Sequence, residues 1–426
     1  MKIYRYPDNE MWPALVQRPR QNNDDLEKKV KKILRTVRKK GDKALYKLTE
    51  RFDGLHINTL EVTTNEIDNA ANELGEELKQ AIGLARTNIE KFHSAQQEEM
   101  KMVETMPGVT CWRRAVAIEK IGLYIPGGSA PLFSTVLMLG IPAVLAGCKE
   151  IILCTPPGKD GKIHPAILYA AQLCGIHKIY TVGGAQAIAA MTYGTRTIPR
   201  VLKIFGPGNA FVTMAKQLVQ GNAVAIDMPA GPSEVLIIAD QTANASFIAA
   251  DLLSQAEHGP DSQVMLVTTD EFLASTVLSS LQEQLKTLPR KKIAEKALSN
   301  SKLVLVEDMD TAIRFSNLYA PEHLILAIDG AAGKAAAITA AGSVFIGNFS
   351  PESAGDYASG TNHTLPTNGY AAMYSGVSLD SFVKKITYQQ LTSEGLENIG
   401  NAVMQMAEAE GLDAHKNAIA IRLKKQ

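Results

Sequence analysis

The segment KIYTVGGAQAIAAM, residues 178–191, shows the pattern that decides the fold. An apolar run, Lys178–Val182, is followed by a glycine turn and a second apolar run, Ala185–Met191. A short run rich in β-branched residues and bounded by glycine is typical of a buried parallel strand, and the run after the turn is typical of a covering helix. The segment therefore predicts one strand–turn–helix unit of a parallel α/β sheet.

The same alternation continues on both sides of this unit. The runs predicted as strands are Ile121–Pro126, Glu150–Cys154, Lys178–Val182, Val201–Phe205, Ala223–Ile226, Val235–Ala239, Val264–Thr268, Leu303–Val306, Leu324–Ile328 and Ser343–Ile346. The runs predicted as helices include Thr135–Ala146, Ala166–Leu173, Ala185–Met191, Ala210–Val219, Phe247–Leu253 and Ala331–Ala341. Strands that alternate with helices predict parallel sheets covered by helices on both faces.

Three of these strands end in glycine turns, namely Pro126-Gly127-Gly128, Gly183-Gly184-Ala185 and Gly206-Pro207-Gly208-Asn209. In a parallel sheet such turns lie at the carboxyl ends of the strands, where ligands bind. Their main-chain N–H groups suit an anionic group such as a pyrophosphate. The alternative is that they are only tight connections, because a strict GxGxxG fingerprint is missing.

The two ends of the chain have a different character. Residues from Asp24 to Gln97 are rich in charge and in apolar positions at helical spacing, which predicts a helical lead-in. The segment Ser350–Pro366 has the composition of a loop. The last part is predicted to be helical, over Ser381–Ile386, Thr392–Glu410 and Ala414–Leu423.

Composition restricts the function classes. The chain of 426 residues has 44 Lys and Arg against 44 Asp and Glu, so charge does not indicate binding to nucleic acid or an anionic membrane. Residues Met1–Pro13 have no apolar core of the signal-peptide type, and no apolar run approaches membrane-spanning length. Four cysteines without a CxxC pair are expected to be reduced, buried thiols of a cytoplasmic protein: Cys111, Cys148, Cys154 and Cys174.

The segment SQAEHGPDSQ, residues 254–263, is a candidate metal site. Gly259 and Pro260 end an apolar helix, and Gln255 and His258 share one face of its last turn. A helix C-terminus carries partial negative charge, which favours a cation. The alternative is a capped helix with a surface histidine. Asp356 in a glycine-flanked loop and His415 at a helix start are candidate ligands from other segments.

Glu322 and His323, in the segment YAPEHL, are a candidate acid–base pair. An adjacent carboxylate and imidazole can divide proton transfers between a water and a hydroxyl group. The alternative is a surface Glu–His pair. HExxH does not occur, which argues against a metalloprotease. The remaining histidines lack acidic or amide neighbours and are expected to be structural or exposed: His56, His93, His164 and His177.

Taken together, these motifs resemble the histidinol dehydrogenase family over nearly the whole chain. The segments that carry the resemblance are YIPGGSAPLFSTVLML from Tyr124, VGGAQAIAA from Val182, FGPGNAFV from Phe205, DMPAGPSEVLIIAD from Asp227, LLSQAEHGPDSQ from Leu252, YAPEHL from Tyr319 and ESAGDYASGTNHTLPT from Glu352. QAEHGPDSQ combined with GDYASGTNH is far more specific than any single glycine turn.

The resemblance implies an α/β fold of two incomplete Rossmann-like parallel-sheet domains, with a helical N-terminal lead-in and a small helical C-terminal extension. The implied division is an N-terminal segment, a discontinuous first domain with the metal and catalytic residues, a second domain with the NAD contacts, and a C-terminal extension: 1–22, 23–122 plus 235–370, 123–234, and 371–426. It also implies a homodimer whose C-terminal segment reaches the partner's site.

The implied activity is the NAD-dependent oxidation of L-histidinol to L-histidine through L-histidinal, the last step of histidine biosynthesis, with one zinc ion per subunit. The implied zinc ligands are Gln255, His258, Asp356 and His415. Glu322 and His323 match the catalytic pair, and the matching NAD contacts are Tyr124, Gln186 and Asn209. The matching substrate contacts are Ser233, Gln255, His258, His323, Asp356, Glu410 and His415, with His363 as a further candidate.

These roles agree with the chemistry of the residues. A neutral imidazole near pH 7 suits removal of the alcohol proton, hence His323, and Glu322 could activate the water that adds to the aldehyde. Zinc would mainly orient the substrate. Two alternatives are a zinc hydrolase with Glu322 as general base, which leaves the glycine turns unexplained, and a non-catalytic protein stabilised by a metal.

Overall fold

The computed structural model describes residues 1–18, 23–127, 130–221 and 224–424. The helices in these ranges are α1 Trp12–Leu15, α2 Asn23–Lys40, α3 Asp42–Asp53, α4 Thr64–Asn69, α5 Glu76–Ser94, α6 Phe133–Leu145, α7 Pro165–Leu173, α8 Gly184–Tyr193, α9 Ala210–Val219, α10 Ala245–Ala256, α11 Glu271–Thr287, α12 Lys291–Ser299, α13 Met309–Tyr319, α14 Ala331–Lys334, α15 Glu352–Tyr357, α16 Ser393–Ala409 and α17 Asp413–Leu423.

The strands in the same ranges are β1 Lys2–Arg5, β2 Met102–Met106, β3 Val109–Ala117, β4 Lys120–Tyr124, β5 Glu150–Thr155, β6 Lys178–Thr181, β7 Lys203–Phe205, β8 Ala225–Ile226, β9 Glu234–Ala239, β10 Gln263–Thr268, β11 Lys302–Leu305, β12 His323–Ala327, β13 Ser343–Ile346 and β14 Val383–Leu391.

A five-stranded parallel sheet has the order β6-β5-β4-β7-β8. The chain moves outward from β4 to β6 and then returns to the other side of β4. This reversal between β4 and β7 is the switch point of one half of a Rossmann fold. The opening segment, residues 178–191, forms β6 and α8 of this sheet, as predicted.

A six-stranded parallel sheet has the order β1-β11-β10-β9-β12-β13. Strands β9 to β13 repeat the order of the first sheet, with the reversal between β9 and β12, and β1 adds an edge strand that the sequence did not predict. Each sheet is therefore a single Rossmann-like half. The predicted fold class, an α/β protein with two incomplete Rossmann-like sheets, is confirmed.

Helices bury both faces of each sheet. In the six-stranded sheet, α10 to α12 cover one apolar face and α1 with α13 cover the other. In the five-stranded sheet, α8 and α9 lie on one face with α2 and α3, while α6 and α7 lie on the other with α4 and α5. The lead-in helices thus share the core of the five-stranded sheet. The domain boundaries given above instead group residues 23–122 with 235–370, and these boundaries stay a prediction.

The helical lead-in is formed by α2 to α5, and its apolar spacing explains the packing. The buried residues of α2 are those at helical spacing, Val30, Ile33, Leu34 and Val37, while the lysines between them face solvent. Thr63 caps α4 through a capping box with Glu66. Each helix therefore presents one apolar stripe to the sheet.

The C-terminal part contains a strand where a helix was expected. The prediction of a helix over Ser381–Ile386 is wrong, because β14 pairs antiparallel with β3 along nine residues, from Val383 opposite Ala117 to Leu391 opposite Val109. With β2, these strands form a three-stranded sheet that the sequence did not predict. The β-branched and aromatic residues of β14 favour a strand once a partner strand is available, and Tyr388 stacks on Trp112.

Other differences are local. The predicted loop Ser350–Pro366 contains helix α15, and the predicted helix Ala331–Ala341 shortens to α14 and a 3-10 turn, Ala335–Ala337. Gly128 of the first glycine turn and Ala223 of a predicted strand lie outside the described residues.

Two sequence expectations concern the chain as a whole. No helix among the described residues is long and apolar enough to cross a membrane. All four cysteines are free thiols, as predicted. Cys154 and Cys174 are buried, whereas Cys111 and Cys148 are only half-buried.

Candidate active site

Several of the residues predicted to carry chemistry lie together at the amino edge of the six-stranded sheet. Strand β9 begins there at Glu234 and strand β12 at His323. Helix α10 runs back from the carboxyl end of β9, so that Gln255 in its last turn reaches the same edge. Ligands of open α/β sheets usually bind at the carboxyl ends of the strands, so this site uses the opposite edge.

Glu322 and His323 are 6% and 3% exposed, so they form a buried pair. The alternative of a surface Glu–His pair is therefore excluded. The Glu322 Oε2 atom accepts hydrogen bonds from the main-chain N–H of Glu234 at 2.8 Å and from Gln255 Nε2 at 3.4 Å. It also lies 3.6 Å from His323 Nδ1. His323 Nδ1 lies 3.2 Å from both Gln255 Nε2 and the main-chain oxygen of Glu234.

The protonation of this pair is set by burial and by neighbouring carboxylates. Burial raises the pKa of Glu322 to about 8, opposed by the positive charge of His323. Burial lowers the pKa of His323, but Glu322, Asp356 and Glu352 outweigh it and raise this pKa to about 10. This differs from the neutral imidazole expected from the sequence. A carboxyl group with its pKa raised to about 8, as in Glu322, can exchange protons near neutral pH.

Gln255 and Asp356, two of the four predicted metal ligands, lie beside this pair, and the charge of a third, His258, interacts with that of Asp356. Gln255 Oε1 is buried without a hydrogen-bond partner in the described structure, so this amide oxygen is available to a cation. Asp356 Oδ1 lies 3.3 Å from His323 Nε2. Burial raises the pKa of Asp356, but the positive charges of His323, His363 and His258 outweigh this effect, so that the pKa is lowered. His258 is exposed as a residue, but desolvation of its ring lowers its pKa, which favours the neutral ring that a metal requires.

This donor set fits a zinc-like ion but is incomplete. An amide oxygen, an imidazole nitrogen and a carboxylate oxygen are three ligands, whereas such sites usually have four. Within the described parts of the chain, no three His, Cys, Asp or Glu side chains are grouped to hold a metal. The fourth predicted ligand, His415, is exposed on α17 and is not brought into the cluster.

Sequence reasoning missed Glu352, at the start of α15. It is 1% exposed, its Oε1 accepts a hydrogen bond from Ser254 Oγ at 3.1 Å, and its Oε2 has no partner among the described residues. Burial raises its pKa to about 8. Its place in the quoted ESAGDY segment was the available signal, but the segment was interpreted as a loop.

His363 joins the Asp356 segment to helix α6. Its Nδ1 donates to the main-chain oxygen of Asp356 at 2.8 Å, so its Nε2 accepts from the hydroxyl of Thr135, which lies 3.0 Å away at the start of α6. Burial lowers the pKa of His363, in agreement with a neutral ring. His363 therefore orients the Asp356 segment against the helix that follows β4.

The predicted NAD contacts lie at the carboxyl edge of the five-stranded sheet. Tyr124 ends β4 and its hydroxyl accepts a hydrogen bond from Gly184 N–H at 3.0 Å, while Gln186 is buried in the first turn of α8. Asn209 caps α9 by accepting from Phe211 N–H and Val212 N–H. Tyr124 thus ends β4 and Asn209 follows β7, the two strands at the switch point. The first turn of α8 has no side-chain cap at Gly183, so its N–H groups suit an anionic group such as a pyrophosphate.

The remaining predicted substrate contacts lie in two different parts of the structure. Ser233 immediately precedes β9 and is half-buried at the amino edge, beside Glu234. Glu410 caps the end of α16 and is exposed, as is His415 on α17. Neither contacts the cluster within one chain.

Two sheets with Rossmann strand order and a buried carboxylate–imidazole cluster define the class of an α/β enzyme. The histidinol dehydrogenase family model matches residues 16–423. The histidinol dehydrogenase of Bacteroides thetaiotaomicron is 59% identical over 423 residues, which are 99% of each chain. That of Vibrio cholerae is 55% identical over 398 residues, 93% of this chain and 91% of its own length.

A solved structure indicates the same family. The crystal structure of histidinol dehydrogenase from Elizabethkingia anophelis is 58% identical and superposes with a TM-score of 0.97, over 100% of this chain and 98% of that chain. The chain belongs to the histidinol dehydrogenase family. It is therefore an oxidoreductase of the kind that the resemblance of its motifs predicted.

Proposed function

We propose that this enzyme oxidises L-histidinol to L-histidine through L-histidinal, with reduction of two NAD for each histidinol. The observation that carries the proposal is the buried Glu322–His323 pair beside the free amide oxygen of Gln255 and the carboxylate of Asp356. Family membership supports the same reaction. The role in histidine biosynthesis and a cytoplasmic location are part of the proposal.

The two oxidations make different demands on the protein. Removal of a hydride from an alcohol requires a base for the hydroxyl proton, and the neutral form of His323 would accept it at Nε2, which lies 3.3 Å from Asp356 Oδ1. Because Glu322, Asp356 and Glu352 raise the pKa of His323, this neutral form requires that a bound cation offset part of their negative charge. Oxidation of the aldehyde first requires the addition of water. Glu322, held by Glu234 N–H and Gln255 Nε2, is in a position to take a proton from that water.

Zinc and NAD complete the proposed site. Gln255, His258 and Asp356 would hold one zinc ion per subunit, which supplies a fixed positive centre that orients the substrate. NAD supplies the hydride acceptor, and Tyr124, Gln186 and Asn209 would contact it. His363 would keep the Asp356 segment in place through its main-chain hydrogen bond.

We further propose a homodimer. His415 of the partner subunit would supply the fourth zinc ligand, and Glu410 of the partner subunit would contact the substrate. The incomplete donor set of one chain and the exposed position of these two residues support this arrangement. Ser233 would contact the substrate from the same chain as Glu322.

The experiment that tests the reaction is NADH absorbance with purified protein, L-histidinol and NAD, before and after treatment with a chelator. We expect two NADH per histidinol, loss of activity on chelation and recovery with zinc. Zinc-loaded protein that forms no NADH would contradict the proposal. Metal-dependent hydrolysis without NAD would then favour the hydrolase alternative.

A further inference from the structure

We infer that Arg18 is a positioning residue for Glu322, because its guanidinium joins the two main-chain segments that hold this carboxylate. Arg18 Nε and Nη2 donate to the Glu234 carboxylate at 2.9 and 2.8 Å. Nη2 also donates to the main-chain oxygen of Ala320 at 3.3 Å. The inference rests on the proposed function, in which Glu322 activates water for the second oxidation.

The first of these segments is the start of β9. The N–H of Glu234 donates to Glu322 Oε2, and the main-chain oxygen of Glu234 accepts from Gln255 Nε2 at 3.0 Å. The Glu234 side chain is the part that Arg18 holds, and Asn368 N–H donates to it at 2.8 Å. A shift of Glu234 would therefore move the donor that orients Glu322.

The second segment is the turn that leads from α13 into Glu322. Ala320 lies in the left-handed region, with φ of 50°, which a residue with a side chain adopts only when its surroundings hold it there. The Arg18 guanidinium lies 3.6 Å above the ring of Tyr319, and the Tyr319 hydroxyl donates to Gln263 Oε1 at 2.9 Å. Arg18 thus stabilises the strained turn two residues before Glu322.

The ion pair is buried, unlike another one in the same N-terminal region. The side chains of Arg18 and Glu234 are 13% and 1% exposed, whereas those of Arg5 and Glu271 are 62% and 59% exposed. A two-pronged arginine–carboxylate pair fixes geometry as well as charge, and lysine cannot reproduce both hydrogen bonds and the contact with the ring. Arg5 and Glu271 therefore provide a matched control.

The test compares Arg18→Lys and Arg18→Gln with Arg5→Gln, using L-histidinol and L-histidinal as separate substrates. We expect Arg18→Lys, which keeps the charge, to fold and to oxidise histidinal about tenfold more slowly, since small misplacements of a catalytic group are costly. The KM for histidinol and the rate of the first oxidation should change less than about threefold, because the contact of His323 Nε2 with Asp356 Oδ1 involves neither Arg18 nor Glu234. Arg18→Gln should show a larger loss, and Arg5→Gln none.

The ratio of the two oxidation rates distinguishes positioning from folding. A purely structural role would reduce the amount of active enzyme and slow both oxidations by one factor, which would overturn the inference. Wild-type rates in Arg18→Lys and Arg18→Gln would overturn it as well. Wild-type protein that oxidises neither substrate would instead contradict the proposed function, so the two failures are distinguishable.

Discussion

His323 Nε2 lies 3.3 Å from Asp356 Oδ1, so the candidate acid–base imidazole adjoins the carboxylate of the candidate metal site. Burial opposes the imidazolium charge, yet Glu322, Asp356 and Glu352 together raise the pKa of His323. A cation that binds Asp356 would offset part of this negative charge. The same carboxylate thereby couples metal binding to the protonation of the base.

Glu322→Gln should slow the oxidation of histidinal by about a hundredfold or more, and the oxidation of histidinol far less, because a positioned general base contributes about this much. The amide keeps an oxygen to accept the hydrogen bond from Glu234 N–H but cannot take a proton. Rapid-quench analysis should show histidinal accumulating. Equal slowing of both oxidations would contradict the role assigned to Glu322.

Mixed dimers can test whether His415 serves the site of its own subunit or that of the partner subunit. His415→Ala and Glu322→Gln should each be nearly inactive in the oxidation of histidinal, but refolding them together should restore about a quarter of the wild-type rate of that step for random pairing of two subunits. Each mixed dimer would have one site with intact Glu322 and with intact His415 from the partner subunit. If both residues serve the same subunit, mixing will restore nothing.

Tyr124→Phe should raise the KM for NAD, with little change in the KM for histidinol. The change leaves Gly184 N–H without its acceptor at the start of α8 and should cost about 1 kcal/mol of stability, the usual contribution of one hydrogen bond. Steady-state kinetics and urea unfolding measure the two effects. Tyr180→Phe, on β6 of the same sheet, is the control, and an equal rise in the KM for NAD there would argue against a specific role of Tyr124.

His93 should make the protein less stable in acid. It is fully buried on α5, where its Nδ1 lies 3.0 Å from Gln96 Oε1, and burial lowers its pKa below the usual 6.5 despite this contact. The unfolded chain therefore binds a proton more readily, so stability is complete above about pH 6.5 and falls as the pH drops below it.

The measurement is the urea midpoint at pH 7 and at pH 5 for the wild type and His93→Gln. The variant should lose less stability between these two pH values, because it lacks the buried titrating group. His56→Gln, a change at an exposed histidine, should keep the wild-type difference. A His93→Gln protein with the full wild-type difference would show that another group is responsible.

Much of the architecture was predictable because it is encoded locally. Apolar runs bounded by glycine predicted the strands of both parallel sheets except β1, and several of their helices but not α11 to α13, usually to within a residue or two, since the period of an element depends on neighbours in the chain. Strand β14 was not predictable in this way, because its conformation depends on pairing with β3, which is far away in the sequence. Glu352 was missed for a related reason, since only the fold buries it.

The sequence by itself determined the α/β class, the family resemblance, and the candidate residues for the chemistry: Glu322 beside His323, Gln255 near His258, and Asp356. Only the tertiary structure decided that they meet at the amino edge of one sheet, that Glu234 N–H, 88 residues away along the chain, holds Glu322, and that Arg18 holds Glu234. Residue types and periodicity are local properties of a sequence, whereas burial, hydrogen-bond partners and shifted pKa values arise only when distant segments pack together.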